Sequence, residues 1–390
     1  MQGASNGPAF FIAKPNASGE LKMNRRHFGK WLATALVSAN TYAHAGRPDK
    51  PVRVAGSAQL AASTPRKLIK PAMLKPGDLV GLIAPSGVME DALIEKGVKN
   101  LESYGFKVKV GANIRAARGG YAGTVAQRID DLHGMFLDKD VKAIWAARGG
   151  SGCSALLPSI HYDLIRANPK VLVGYSDITA LHLAIYRRAR LVTFHGPVAP
   201  SSPTDYTVAQ MQAVLMSPRP QTEINMSIEN ERKTTAQSEF KLRTFKHGVA
   251  EGPLVGGNLS VLSALIGTPY AAEMEKHLVF LEDVREPPYR IDRMLTQLQQ
   301  SVGNRGERDG LKRAAGIMLG VFSRSRATDN DASLTLEEVL DDHFATLPIP
   351  AVGGYSFGHI PHQFTIPMGV NARLDTQSQT LTLLEAAVRG

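Results

Sequence analysis

Three residues at the ends of apparent strands have the side-chain types needed for nucleophilic acyl transfer: Ser176, Glu282 and His359. A serine hydroxyl attacks a carbonyl when a neighbouring imidazole takes its proton. The imidazole in turn needs a carboxylate to fix its tautomer and balance its charge. Ser176 comes after Val171-Leu172-Val173-Gly174-Tyr175 and before the helix-like stretch Ile178 to Ala189. Such a strand–turn–helix junction lifts a hydroxyl out at the carboxyl end of a parallel strand and leaves the next backbone N–H, that of Asp177, to face an oxyanion. Glu282 follows the run His277 to Leu281, and His359 follows Gly353-Gly354-Tyr355-Ser356-Phe357-Gly358.

Each residue also has a plainer use. Ile178 stands where the hydrolase pattern Gly-x-Ser-x-Gly has its second glycine, and Ser176 or Asp177 could cap the helix instead. Glu282 lies beside Asp283 and Glu286, with Arg285, Arg290 and Arg293 close by, which also fits a surface ion-pair patch. His195, at another strand end, competes for the role of base, and His182 fits packing inside the helix after the turn. His359 and His362 give a His-x-x-His spacing, with no third ligand near it for zinc.

The segment Arg148-Gly149-Gly150-Ser151-Gly152 follows the run Val141 to Ala147, and its backbone N–H groups could complete an oxyanion hole beside Ser176. Gly150 to Ala155 also fits Gly-x-Gly-x-x-Ala, with Asp177 standing 25 residues after Gly152, where a ribose-binding acid would fall. That fingerprint normally occupies the first strand of its sheet, and this is the third, so cofactor binding is the weaker use of the loop.

The elements that must position these groups alternate. Apolar runs at 79–83, 106–110, 141–147, 171–173 and 190–194 are separated by helical patterns at 90–104, 126–137 and 178–189. The expected fold class is α/β: an N-terminal doubly wound parallel-sheet domain at 77–216 and a smaller mixed α/β C-terminal domain at 248–390, with the active site between them. Residues 217–247, with Pro218, Pro220 and a charged stretch, read as an inter-domain linker. In the second domain, strands are expected at 277–281 and 316–321, helices near 259–266 and 291–298, and a closing pair of strands at 364–368 and 379–384.

The chain has 390 residues, 43% of them hydrophobic, enough to bury one large core or two ordinary ones. The single Cys153 excludes an intramolecular disulfide and a cysteine-based zinc site, and core packing is its expected role. Of the net charge of +10, residues 1–45 supply five bases and one acid, leaving 40 bases against 34 acids beyond them. No basic block with interleaved aromatics occurs there, so nucleic acid is not an expected partner. Asn24-Arg25-Arg26-His27-Phe28-Gly29-Lys30 resembles a twin-arginine motif, followed by apolar Trp31 to Ala39 and the small-x-small site Ala43-His44-Ala45. Residues 1–45 are thus expected to be an N-terminal extension and export signal read by the twin-arginine machinery, and 46–76 a linker. The apolar stretch is too short for stable membrane insertion. The mature protein is expected in the periplasm, with the cytoplasm as the alternative.

The motifs, taken in order, resemble those of the LD-carboxypeptidases, the muramoyltetrapeptide carboxypeptidase family of serine peptidases. They are Gly77-Asp78-Leu79 with Ala84-Pro85-Ser86, then Arg148 to Gly152, Gly174 to Ala180, Phe194-His195-Gly196-Pro197 and Gly256-Gly257-Asn258-Leu259. Leu281-Glu282-Asp283 with Tyr289 to Leu295, and Phe357-Gly358-His359, complete the set. The resemblance implies a catalytic triad of Ser176, Glu282 and His359. It implies an oxyanion hole formed by the Asp177 N–H and one from Gly150 or Ser151, with Arg148, Gly149 and Asn258 at the substrate. It further implies a homodimer, no metal or cofactor, and cleavage of terminal D-alanine from a murein tetrapeptide. Ser151 and Val255 stand where the family often has tyrosine and tryptophan, two departures expected at the cleft. Relatives similar to microcin C self-immunity proteins, which act on peptidyl-nucleotide bonds, mark the nearest alternative activity; a non-catalytic wall-peptide binder is the contrasting one.

Overall fold

Five strands separated by helical segments build the parallel part of the first sheet. Its strands β1 (Leu79–Ile83), β2 (Lys107–Val110), β3 (Val141–Ala146), β4 (Val171–Gly174) and β5 (Phe194–His195) are parallel, in the order β2-β1-β3-β4-β5. The structure is a computed structural model and describes residues 66–301, 310–327 and 332–390. The expected export signal and most of the segment expected as a linker before residue 77 lie outside the described residues. β3 and β4 bury every residue except Lys142, as strands covered on both faces must. Helix Val125–Leu137 starts at a capping box in which Thr124 and Gln127 satisfy each other's backbone N–H groups. Helix Thr179–Ala189 is buried along nearly its whole length. The turns that follow β1, β3 and β4 therefore leave the sheet at one edge, where open parallel sheets bind their ligands.

The second sheet comprises β6 (Thr222–Ile224), β7 (Arg243–Lys246), β8 (Val249–Asn258), β9 (Leu278–Val284), β10 (Gly316–Ser323), β11 (Ala351–Gly353), β13 (Asn371–Asp375) and β14 (Thr380–Leu383). β8 to β11 run parallel, and the flanking strands are antiparallel. The α/β class and the mixed character of the second lobe are as expected. Residues 217–247 do more than link: β6 and β7 close the two edges of this sheet.

The expected closing pair does not form. β12 (Ile366–Pro367) crosses to the first sheet and pairs antiparallel with β5, placing Ile366 opposite His195. β14 pairs instead with β13, whose alternating Asn-Ala-Arg-Leu-Asp has too few apolar residues to stand out in sequence but buries Ala372 and Leu374. Pro367 is tolerated because β12 is an edge strand. This crossing laces the two lobes together beside the sheet edge that carries Ser176.

Candidate active site

Ser176 sits on a sharp elbow. A Cβ on Gly174 would lie 2.9 Å from Ile178 and 3.0 Å from Ala146, so only glycine lets the strand turn here. Ile178 fills the space over Gly174, which explains the missing second glycine of the hydrolase pattern. Ser176 itself has φ +64°, a left-handed conformation that costs a non-glycine residue about 1–2 kcal/mol. A short 3-10 turn, Ser176–Ile178, leads into helix Thr179–Ala189. The Asp177 N–H is one of the donors at a helix start that lack an intrahelical acceptor.

The glycine-rich loop rests against this elbow. A Cβ on Gly149 would stand 2.7 Å from Ser176 Cβ, 2.9 Å from its Oγ and 3.3 Å from Asp177 N. The loop residue nearest the hydroxyl is thus Gly149, whereas Gly150 (φ +127°) turns toward Gly87. Asp177 ties the loops together: its Oδ2 accepts from Ser86 Oγ at 2.6 Å and from Cys153 N at 2.9 Å. That carboxylate is spent inside the protein and cannot serve a ribose, and the loop leads into a 3-10 turn, Cys153–Ser159, not the helix of a dinucleotide site. Gly149→Ala is expected to push the Ser176 side chain aside and cut turnover about a hundredfold, with a much smaller effect on melting temperature. Steady-state kinetics beside a thermal melt checks this.

The second lobe brings the other two groups. Glu282 on β9 is completely buried, and Gly358 (φ +117°) passes so close that a Cβ there would lie 3.1 Å from Glu282 Oε2. His359 follows and bridges the lobes. Its Nδ1 is 2.7 Å from Glu282 Oε2, and its Nε2 is 3.0 Å from Ser176 Oγ. Burial alone would push the Glu282 carboxyl up. The facing His359, their hydrogen bond, His195 and Asn258 more than offset burial and hold it below the usual carboxylate range. Burial also disfavours charge on His359, but Glu282 and Asp283 outweigh it and hold the imidazole above its ordinary value, with Arg285 opposing them. The Tyr175 ring lies 4.8 Å from the His359 ring at 62°, covering the imidazole from one side.

The surface ion-pair use of Glu282 is ruled out by its burial; it is Glu286 that pairs with Arg290, at 3.4 Å. His195 is also fully buried, among Tyr175, Phe280 and Phe357, and burial lowers it to about 4, so it is not the group that meets Ser176. His182 packs in the core and its Nε2 meets Gly174 O at 2.8 Å. Cys153 is buried, with its thiol pushed well above the usual range, first by burial and then by Asp177. His362 Nδ1 stands 4.0 Å from Glu229 Oε2.

Arg148 is exposed at the end of β3 and donates to Val88 O at 2.9 Å and Gly149 O at 3.2 Å. Ser151 is exposed in the same loop. Asn258, expected at the substrate, is buried; its Oδ1 caps helix Leu259–Ala264 at Val261 N, and its Nδ2 donates to Asp283 Oδ1 at 3.0 Å. With both amide ends engaged, it props the floor under Glu282. Sequence reasoning gave no role to Ser86 or to Thr179, whose Oγ1 accepts from Asn258 N at 3.0 Å and joins the two lobes behind the elbow. Ser86 stands at the end of β1, a position that could have marked it as part of the site.

The profile of the LD-carboxypeptidase N-terminal domain matches residues 80–196, and that of the LD-carboxypeptidase C-terminal domain matches residues 251–374. A probable murein peptide carboxypeptidase of Bacillus subtilis is 37% identical over 319 residues, covering 82% of this chain and 95% of the relative. A murein tetrapeptide carboxypeptidase of Pseudomonas aeruginosa is 32% identical over 302 residues, covering 76% and 92%. Among solved structures, an MccF-like protein of Bacillus anthracis superposes with a TM-score of 0.69 at 29% identity, over 81% of this chain and 99% of its own.

Proposed function

Since the chain belongs to the LD-carboxypeptidase family, a family of peptide hydrolases, we propose that it is a serine carboxypeptidase that releases terminal D-alanine from murein tetrapeptides. The observation that carries this reading is the unbroken chain of contacts from Ser176 Oγ through His359 to the buried Glu282. As Ser176 Oγ attacks the carbonyl between the L-centre of the diamino acid and D-alanine, His359 Nε2 takes its proton. Glu282 holds the ring by Nδ1 and balances the imidazolium. The Asp177 N–H and a backbone donor from residues 149–151 receive the oxyanion. His359 then gives its proton to the departing amine, and water, activated by the same imidazole, releases the acyl group.

Incubation of the protein with disaccharide tetrapeptide should yield free D-alanine and the tripeptide. Intact tetrapeptide after prolonged incubation would end this reading. The likeness to an MccF-like protein supports a second reading, hydrolysis of a peptidyl-nucleotide, which release of glutamate from glutamyl sulfamoyl guanosine tests. The twin-arginine-like motif supports action in the periplasm on wall peptides; an intact Arg25-Arg26 in exported material would count against it. The homodimer expected from the family is read by sedimentation.

The reaction's pH dependence follows from His359. The imidazole must be neutral to accept the serine proton, and its partners hold it above the ordinary 6.5. kcat/KM should therefore fall as pH drops, with a midpoint above that value. Removing the carboxylate, as in Glu282→Gln, should move the midpoint of any residual activity downward.

A further inference from the structure

A carboxypeptidase must recognise a terminal carboxylate, and the chemistry fixes where it sits. The leaving nitrogen takes its proton from His359 Nε2 at about 3 Å, and the carboxylate carbon is two bonds from that nitrogen, about 2.5 Å away. The cation that receives the carboxylate must therefore stand within a side chain's reach of His359.

Two arginines follow the strand ends that run beside the His359 turn, where Val321 pairs with Gly358. β9 and β10 are parallel neighbours that end in register, Val284 opposite Ser323, and the next residues are Arg285 and Arg324. The Arg285 N–H donates to Ser323 O at 3.0 Å, and Ser323 Oγ approaches His359 O at 3.5 Å. Arg285 is also three residues beyond Glu282, and its charge is felt at the His359 ring. Both arginines are exposed, and both hold left-handed backbones, φ +61° and +58°, that arginine rarely adopts. Among the described residues neither guanidinium has a carboxylate partner. The nearby acids are already engaged, Asp283 by Ser260, Asn258 and Val284 N, and Glu286 by Arg290.

We propose that Arg285, assisted by Arg324, forms the subsite for the free carboxylate of the departing D-residue at the carboxyl edge of the second sheet. Guanidinium is the group that matches a carboxylate in a two-point fit. Arg148, exposed in the glycine-rich loop, is tied by Val88 O and Gly149 O on the opposite lobe.

This inference rests on the carboxypeptidase reading, and its test has one arm that depends on that reading and one that does not. The first compares kcat/KM for a tetrapeptide ending in free D-alanine with that for the same peptide ending in D-alaninamide. Arg285→Gln should lower the ratio of the acid's value to the amide's about ten- to a hundredfold, with Arg285→Lys recovering part of the loss. The second measures calorimetric binding of both peptides to the Ser176→Ala protein. The acid should bind more tightly than the amide, and Arg285→Gln in that background should erase the difference. Preserved discrimination in the Arg285→Gln, Arg324→Gln double variant overturns the proposal, as does discrimination lost only with Arg148→Gln. If the unaltered protein releases no D-alanine, the activity falls. The binding comparison then still decides the subsite, and equal binding, or none, of the two peptides overturns it.

Discussion

Ser176→Ala is expected to reduce D-alanine release by about four to six orders of magnitude, because every other part of the site acts through that oxygen. Among the described residues the hydroxyl that meets His359 Nε2 is that of Ser176, and water placed by the remaining donors accounts only for the residue of activity. The fold should survive, since alanine keeps the same backbone and loses one partly solvated hydroxyl. A sharper version uses the strain at this position. At φ +64° alanine keeps the left-handed penalty, whereas glycine relieves it. Ser176→Gly should therefore be inactive yet more stable than Ser176→Ala, by about 1 kcal/mol. A single-turnover assay of D-alanine release beside thermal melts of the two variants reads both effects. Near-normal turnover by the alanine variant would remove Ser176 from the mechanism.

The second large effect is expected at Glu282. Glu282→Gln keeps the shape but offers an amide where His359 Nδ1 needs an anionic acceptor. The imidazole then loses both its enforced tautomer and the charge that balances its protonated form, and kcat should drop about 10⁴-fold. Stability should respond with its own pH signature. The Glu282 carboxyl is held low in the folded protein, so its contribution is present above about 4.5 and lost as pH falls through its folded value. The His359 imidazole is held high, so its contribution is present below about 6.5 and lost as pH rises through its folded value. The pair thus stabilises most between those limits, where a protonated His359 cannot act as base. Maximum stability should fall at lower pH than maximum activity, and Glu282→Gln should flatten that stability profile. Melting temperatures from pH 4 to 9 for the two proteins check the sign.

Much of the parallel sheet was legible because its strands are covered on both faces and so appear as unbroken apolar runs. β3 and β4 are of that kind. β13 was missed because a half-exposed strand shows only two buried residues in five, and β12 was given the wrong partner because pairing depends on which sheet edge is open. At the site, Ser176 was legible from its glycine and the flanking strand and helix patterns. The partners of Asn258 were not legible, because a motif shows which residue is present but not which neighbours its amide will meet.

The chain by itself determined the chemistry available: a hydroxyl on a glycine elbow, a carboxylate ending an apolar strand, and a histidine after a glycine turn. Those are local properties, set by residue type and the backbone each short segment can adopt. Only the tertiary structure decided that they meet. Ser176 and His359 are 183 positions apart, and His359 and Glu282 are 77. No local preference spans such distances. They are closed by the burial that packs the second sheet against the first, and by β12 crossing back beside β5 to hold the two lobes in contact.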